Sequence, residues 1–130
     1  MEDVNQIQQM LHQKLHTLEQ LWAQKQGTEI YHQLYDATTQ ISGQGTTQLF
    51  SGQSELLELV QSLLEHAETA KLELVSYSQP SPEIVLSWVN WHLQTRDGSS
   101  FSMKSLFVWK NLTQGWRIIA DMYAEEALSV

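Results

Sequence analysis

The N-terminal part of the chain carries apolar residues at steps of three and four positions. They are Val4, Ile7, Leu11, Leu15, Leu18 and Trp22. This spacing places them on one stripe and predicts an amphipathic helix over residues 4–26. Gly27 then favours the end of that helix, and the pair Ile30 and Leu34 predicts a short second helix over residues 29–35.

The pattern changes between residues 38 and 50, where Thr, Gly and Gln predominate. Two β-compatible pieces, residues 38–42 and 46–50, flank a Gly-Gln-Gly sequence and predict a short hairpin. A third helix is predicted from Glu55 to Ala67 by a further stripe of apolar residues. Negative charge in its first turn favours this helix because it interacts with the partial positive charge at the N-terminal end of the helix dipole.

The second half of the chain predicts four strands separated by turn signals. Their ranges are 70–77, 84–95, 100–110 and 115–123. Helices precede strands, and no alternation of strand, helix and strand is present. The sequence therefore predicts an α+β fold in which helices cover one face of an antiparallel sheet.

The Asp97-Gly98 pair predicts a two-residue turn, which fixes the register of the two strands that it joins. In this register the pairs on one face are His92 with Met103, Asn90 with Ser105, Trp88 with Phe107, and Leu86 with Trp109. We expect this face to point inward, because Lys104 and Lys110 lie on the opposite one. In the last strand the same alternation predicts Met122 inside and Asp121 outside.

Composition narrows the class of protein. The 130 residues lie within the usual size range of one domain, and the hydrophobic fraction of 42% is that of a globular protein. A formal charge of -8 argues against binding to nucleic acid or to an anionic membrane. The chain has no cysteine, no signal-peptide pattern and no apolar run of membrane-spanning length, so we expect a cytoplasmic protein.

Several stretches resemble the nuclear transport factor 2-like superfamily, which includes SnoaL-like and ketosteroid-isomerase-like proteins. The stretches are Leu34-Tyr35-Asp36-Ala37-Thr38, Phe50-Ser51-Gly52, Leu106-Phe107-Val108-Trp109-Lys110 and Gly115-Trp116-Arg117-Ile118. The resemblance implies a single SnoaL-like domain over residues 1–130, in which a strongly curved, antiparallel-rich sheet wraps around the long N-terminal helix. It also implies a cone with an internal pocket and a homodimer through the convex face of the sheet.

The acid and base of ketosteroid isomerases are absent from the corresponding positions. Those enzymes use an Asp base and an oxyanion hole formed by a Tyr and a protonated Asp. The resemblance implies that Ile41, Ser42 or Gly43 occupies the position of the base, and Phe107 or a neighbour that of the acid. SnoaL-type cyclases use an acidic residue in the cleft, so Asp121 is a candidate if the predicted faces are inverted.

The predicted inner face and the pocket of the implied fold together give a set of ligand-binding candidates. They are Tyr35, Trp88, Asn90, His92, Met103, Ser105, Phe107 and Met122. The Asn90 and Ser105 side chains either form a hydrogen bond with each other or orient a ligand. His92 is either structural or the first choice for proton transfer, with Asp121 as the second catalytic candidate.

Histidines give little indication of a metal site. His12 and His16 stand four residues apart on the first helix, a spacing that suits one metal ion. Residue 13 is Gln rather than Glu, and no third ligand is evident. We therefore expect no metal and no cofactor.

Two functions remain open at this point. The first is a site for a small apolar or cyclic ligand inside the cone, with or without catalysis. The second is a non-catalytic homodimeric module for binding another protein. In that module Val89, Trp91 and Leu106 on the convex face are the expected dimer contacts.

Overall fold

The computed structural model describes residues 4–130, which form three helices and one six-stranded sheet. The helices are α1 (Val4–Ala23), α2 (Gly27–Leu34) and α3 (Gln53–His66). The strands are β1 (Gln40–Gly43), β2 (Phe50–Ser51), β3 (Thr69–Ser81), β4 (Ile84–Gln94), β5 (Ser100–Leu112) and β6 (Gly115–Glu125). The predicted α+β class is confirmed.

The sheet has the strand order β2-β1-β6-β5-β4-β3. Neighbouring strands are antiparallel except for β1 and β6, which are parallel. The four predicted strands of the second half therefore form a meander, and the short β1–β2 hairpin extends it beyond β6. No helix among residues 4–130 is long and apolar enough to cross a membrane.

α1 ends earlier than its apolar pattern predicts. Lys25 adopts a left-handed backbone (φ 58°), Gln26 N–H donates to Leu21 O at 2.9 Å, and Lys25 N–H donates to Trp22 O at 3.0 Å. These two bonds are those of a Schellman motif, which satisfies the last carbonyl groups of a helix. Gly27 is therefore the first residue of α2 rather than the residue that ends α1.

The end of α1 is tied to the end of α3. The Trp22 indole Nε1 donates a hydrogen bond to Ala67 O at 3.0 Å. Lys25 Nζ donates to the carbonyl oxygens of Leu64, Ala67 and Glu68 at 3.2, 3.0 and 2.9 Å. The Leu64 and Ala67 carbonyl groups belong to the last turn and the cap of α3, where helical partners are missing, so these bonds satisfy them and fix the two helices relative to each other.

The turn that joins β4 to β5 contains three residues, 96–98, between Thr95 and Ser99, so the predicted two-residue turn is wrong. Thr95 N–H donates to Ser99 O at 2.9 Å, Gly98 N–H donates to Thr95 O at 3.1 Å, and Gly98 has φ 86°. This is the geometry of a type I turn followed by a left-handed residue. Asp97 Oδ1 stabilises the loop by accepting the Ser99 N–H at 2.9 Å and the Thr95 hydroxyl.

The longer loop shifts the register by one residue. Trp88 pairs with Leu106, Asn90 with Lys104, and His92 with Ser102. Side chains alternate along a strand, so this shift exchanges the two faces of β4 relative to β5. The inward positions of β4 are Val85, Ser87, Val89, Trp91 and Leu93, all buried. The inward assignment of Trp88, Asn90 and His92 is therefore wrong, whereas that of Ser105, Phe107 and Trp109 in β5 is confirmed.

A bulge in β6 changes a second face assignment. Trp109 pairs with Ile118 and Val108 with Ala120, so Ile119 is an extra residue between two ladder pairs. Beyond the bulge the alternation is inverted, and Asp121 becomes buried while Met122 is 60% exposed. The prediction that placed Met122 inside and Asp121 outside is therefore wrong.

Candidate functional site

A cavity of about 70 Å³ lies between the helices and the inner face of the sheet. Leu18 and Trp22 of α1 form one wall, and Leu59, Val60 and Leu63 of α3 form another. The sheet contributes residues of β1, β4, β5 and β6. Most of these side chains are apolar, because the cavity occupies the region where each element buries its hydrophobic face.

Exposure distinguishes the two ends of the cavity. Leu63 and Phe101 line it and are 40% and 41% exposed, so they lie at its mouth. Tyr35, Ser105 and Asp121 line it as well and are buried, so they form its deep end. Access from solvent therefore passes between α3 and the start of β5.

Asp121 is the one carboxyl group among the described residues that line this cavity. Burial raises the pKa of its carboxyl group to about 7, and a hydrogen bond from the Ser105 hydroxyl opposes that rise. Its Oδ1 atom has no hydrogen-bond partner within residues 4–130. Leaving a buried polar atom without a partner costs free energy, and such an atom in a native structure needs an explanation.

Two tyrosines and the hydrogen-bonded pair of Trp91 and Ser105 lie near this carboxyl group. The Trp91 indole Nε1 donates to Ser105 Oγ at 2.9 Å, and the Trp91 ring stands edge-on to Trp22 with centroids 5.5 Å apart. Burial raises the pKa of Tyr35 and of Tyr123, and the charge of Asp121 raises both further. Both phenols therefore stay neutral at physiological pH.

The structure brings together only part of the predicted ligand set. Tyr35, Met103 and Ser105 line the cavity. Phe107 is fully buried behind it, with its ring centroid 6.2 Å from that of Trp91. The other four candidates lie on the outer face of the sheet: Trp88, Asn90, His92 and Met122.

The expected Asn90–Ser105 pair does not form. Asn90 is buried beneath the C-terminal segment, where its amide donates to Leu128 O at 2.9 Å and accepts the Leu128 N–H at 2.7 Å. His92 is exposed and stands beside Glu73, with Nε2 and Oε1 3.3 Å apart. The first choice for proton transfer therefore has no access to the cavity from its face of the sheet.

Sequence reasoning missed several residues of the cavity wall, among them Trp91, Tyr123 and Phe101. One signal could have found Trp91. Thr95 and Ser99 flank the Asp97-Gly98 pair with hydroxyl and backbone groups that an Asp carboxylate can bind, which favours a longer loop. No comparable signal marks the bulge at Ile119.

The cavity wall indicates what chemistry is available. Ile41, one of the three residues that the family resemblance offered for the position of a base, lies in the wall and supplies only hydrocarbon. Within residues 4–130, no group of three or more His, Asp or Glu side chains could hold a metal ion. Asp121 remains as a carboxyl group whose pKa of about 7 gives it two accessible protonation states near neutral pH.

Comparison with known proteins gives similarity of structure only. The sequence matches no protein-family model and no curated protein sequence. A nuclear transport factor 2-like superfamily protein from Salmonella enterica superposes with a TM-score of 0.74 at 16% identity, over 98% of this chain and 96% of that one. A protein of the same fold and unknown function from Shewanella oneidensis gives 0.76 at 14% identity, over 88% and 96%.

A third structure carries a catalytic family name. A ketosteroid isomerase-like protein from Erwinia carotovora superposes with a TM-score of 0.69 at 15% identity, over 84% of this chain and 88% of that one. At such identities the likeness establishes the fold and leaves the activity open. The chain has the nuclear transport factor 2-like fold, as the resemblance of its sequence implied.

Proposed function

We propose that the cavity is a binding site for a small, mostly apolar molecule, and that Asp121 anchors this molecule and exchanges a proton with it. The observation that carries this proposal is a buried carboxyl group with an unpaired oxygen in the wall of an otherwise largely apolar cavity. Small-molecule sites combine apolar walls with a few polar groups that fix orientation. The pKa of about 7 lets Asp121 change protonation state at neutral pH.

The volume limits the size of the ligand. A cavity of about 70 Å³ is smaller than the dry cavity of about 150 Å³ that accommodates benzene in an engineered protein. The ligand is therefore only a few heavy atoms in size, or the mouth widens to admit a larger one. Phe101 and Leu63 are partly exposed, so their side chains can turn outward without breaking the core.

Titration with cyclohexanone, an apolar ring with one hydrogen-bond acceptor, tests this proposal. We expect it to shift the indole N–H resonance of Trp91 in an NMR spectrum, because that group binds Ser105 at the deep end of the cavity. Trp88 on the outer face is an internal control and should not shift.

Replacing Phe101 by Ala should widen the mouth of the cavity and admit cyclohexanone more readily. Leu49→Ala changes an exposed residue outside the cavity and should have no such effect. A shift of Trp88 alone would contradict the proposal.

We propose, as a second function, that the chain forms a homodimer through the outer face of the sheet. Trp88 pairs with Leu106, and Leu106 pairs with Met122, so the three form one row across β4, β5 and β6. Trp88 is 40% and Met122 is 60% exposed. An exposed row of this kind is typical of an interaction surface. Of the three expected dimer contacts, Leu106 belongs to this exposed row. Val89 and Trp91 are buried in the core and lie outside it.

A double variant, Trp88→Lys with Met122→Lys, tests the dimer. We expect the unmodified chain to have the mass of two chains in native mass spectrometry, and the variant to have the mass of one. The expected cause is that two charges in the centre of the interface cannot be desolvated without partners. Leu49→Lys alters an exposed apolar residue elsewhere and should leave the dimer intact. A monomeric unmodified chain at micromolar concentration would exclude this interface.

A further inference from the structure

The cavity that Asp121 lines is rich in aromatic side chains. Five of them line the same cavity: Trp22, Tyr35, Trp91, Phe101 and Tyr123. Aromatic faces carry negative charge density and attract cations, and the attraction grows when water is excluded. A small, largely apolar cavity that combines such rings with one carboxyl group has the composition of a cation-binding site.

The charge of an ionised Asp121 has no compensating partner in the cavity. No Lys, Arg or His is among the described residues that line it. The titratable groups that face Asp121 are Tyr35 and Tyr123, both neutral phenols, and Ser105 supplies a hydroxyl. The residues that α1 and α3 contribute to the wall carry no titratable group. A positive charge that enters the cavity would therefore meet attraction and no repulsion from its walls.

We propose that the ligand of this cavity is a small alkylammonium ion, whose ammonium group pairs with Asp121 among the aromatic rings. Its alkyl group extends along α3 towards Leu63 and Phe101 at the mouth. A net charge of -8 over the chain attracts such a cation towards the protein. This inference rests on the proposed small-molecule site and specifies the chemical class of its ligand.

Proton linkage distinguishes a cation from a neutral ligand. A cation binds the ionised form of Asp121, whereas a neutral hydrogen-bond acceptor binds the protonated form. With a pKa of about 7, the ionised fraction rises about tenfold between pH 6 and pH 8. The affinity for an alkylammonium ion should therefore rise about tenfold over that interval, and the affinity for a neutral acceptor should fall.

Calorimetric titration with n-butylammonium and with n-butanol, its neutral counterpart, tests the inference. We expect n-butylammonium to bind more tightly at both pH values and to show the tenfold rise. Asp121→Asn keeps the shape of the side chain and removes its charge. It should abolish both the preference for n-butylammonium over n-butanol and the rise of its affinity with pH. Glu73→Gln removes a carboxylate from the outer face and should retain both.

A measurement on the unmodified chain serves if Asp121→Asn fails to fold. At pH 7, binding of n-butylammonium should release about half a proton, because half of the Asp121 groups are protonated beforehand. Titrations in two buffers of different ionisation enthalpy measure this release. Binding without proton release would overturn the inference.

The outcomes separate this inference from the function on which it rests. If n-butanol or cyclohexanone perturbs Trp91 while n-butylammonium does not bind, the cation is excluded and the small-molecule site stands. If n-butylammonium binds equally well to Asp121→Asn, the pairing with Asp121 is excluded. If none of the three compounds binds, the site and the inference both fail.

Discussion

Asp121→Asn is expected to stabilise the folded chain at pH 8 and to do so much less at pH 5. The physical reason is that the folded state holds the carboxyl group in an apolar wall, which favours the protonated form and raises the pKa to about 7. The unfolded state exposes the same group to water, where its pKa is near 3.8. Asn is neutral at every pH and has no charge to bury.

The direction in which stability changes with pH follows from the number of protons bound in the folded and unfolded states. Between pH 3.8 and about 7 the folded state holds the proton and the unfolded state has lost it, so stability falls as the pH rises. The contribution of Asp121 to the free energy of unfolding is complete below the unfolded-state pKa of 3.8, and it is lost as the pH passes the folded-state pKa of about 7. Between pH 5 and pH 8 the unmodified chain should lose roughly 2 to 3 kcal/mol that Asp121→Asn retains.

Urea unfolding at several pH values measures this difference. Glu73→Gln is the matched control, because hydrogen bonds from Asn90 and His92 lower the pKa of the Glu73 carboxyl group. A lowered pKa gives the opposite trend, in which Glu73 stabilises the fold at neutral pH and ceases to do so as the pH falls. Identical pH profiles for Asp121→Asn and the unmodified chain would show that Asp121 is not buried.

Two tryptophans of β4 should lose very different amounts of stability on replacement by Ala. Trp91→Ala should cost about 3 to 5 kcal/mol of unfolding free energy, because it removes a buried ring and its hydrogen bond to Ser105. Trp88→Ala should cost less than about 1 kcal/mol in the monomer, because that ring is 40% exposed. The two residues lie three positions apart in one strand, so strand propensity differs little between the two changes.

This pair is a direct test of the strand register. The two-residue turn that the Asp97-Gly98 pair suggested would bury Trp88 and expose Trp91, and the two costs would then be exchanged. Unfolding curves must be recorded at a concentration where the chain is monomeric, since Trp88 belongs to the proposed dimer surface. A greater loss for Trp88→Ala than for Trp91→Ala would restore the predicted register.

The candidate site could be predicted only in part, and the residues show why. Tyr35 follows directly from the sequence resemblance. Ser105 follows from the alternation of side chains in β5, which gives the correct inward face for that strand. The sequence pattern assigns Asp121 and Trp91 to the wrong face, because one extra residue in a loop and one in a bulge each invert the alternation beyond it. Such an insertion changes the pattern of apolar residues too little to be recognised in strands that are apolar on both faces.

The amino-acid sequence by itself determined the elements, their order and the α+β class, because periodicity and turn residues act over a few neighbouring positions. It also determined the absence of a carboxyl group from the first strand, where Ile41 stands. Only the tertiary structure decided which faces meet. The three-residue loop at Asp97 and the bulge at Ile119 set the register between distant strands, and that register placed Asp121 rather than His92 in the cavity.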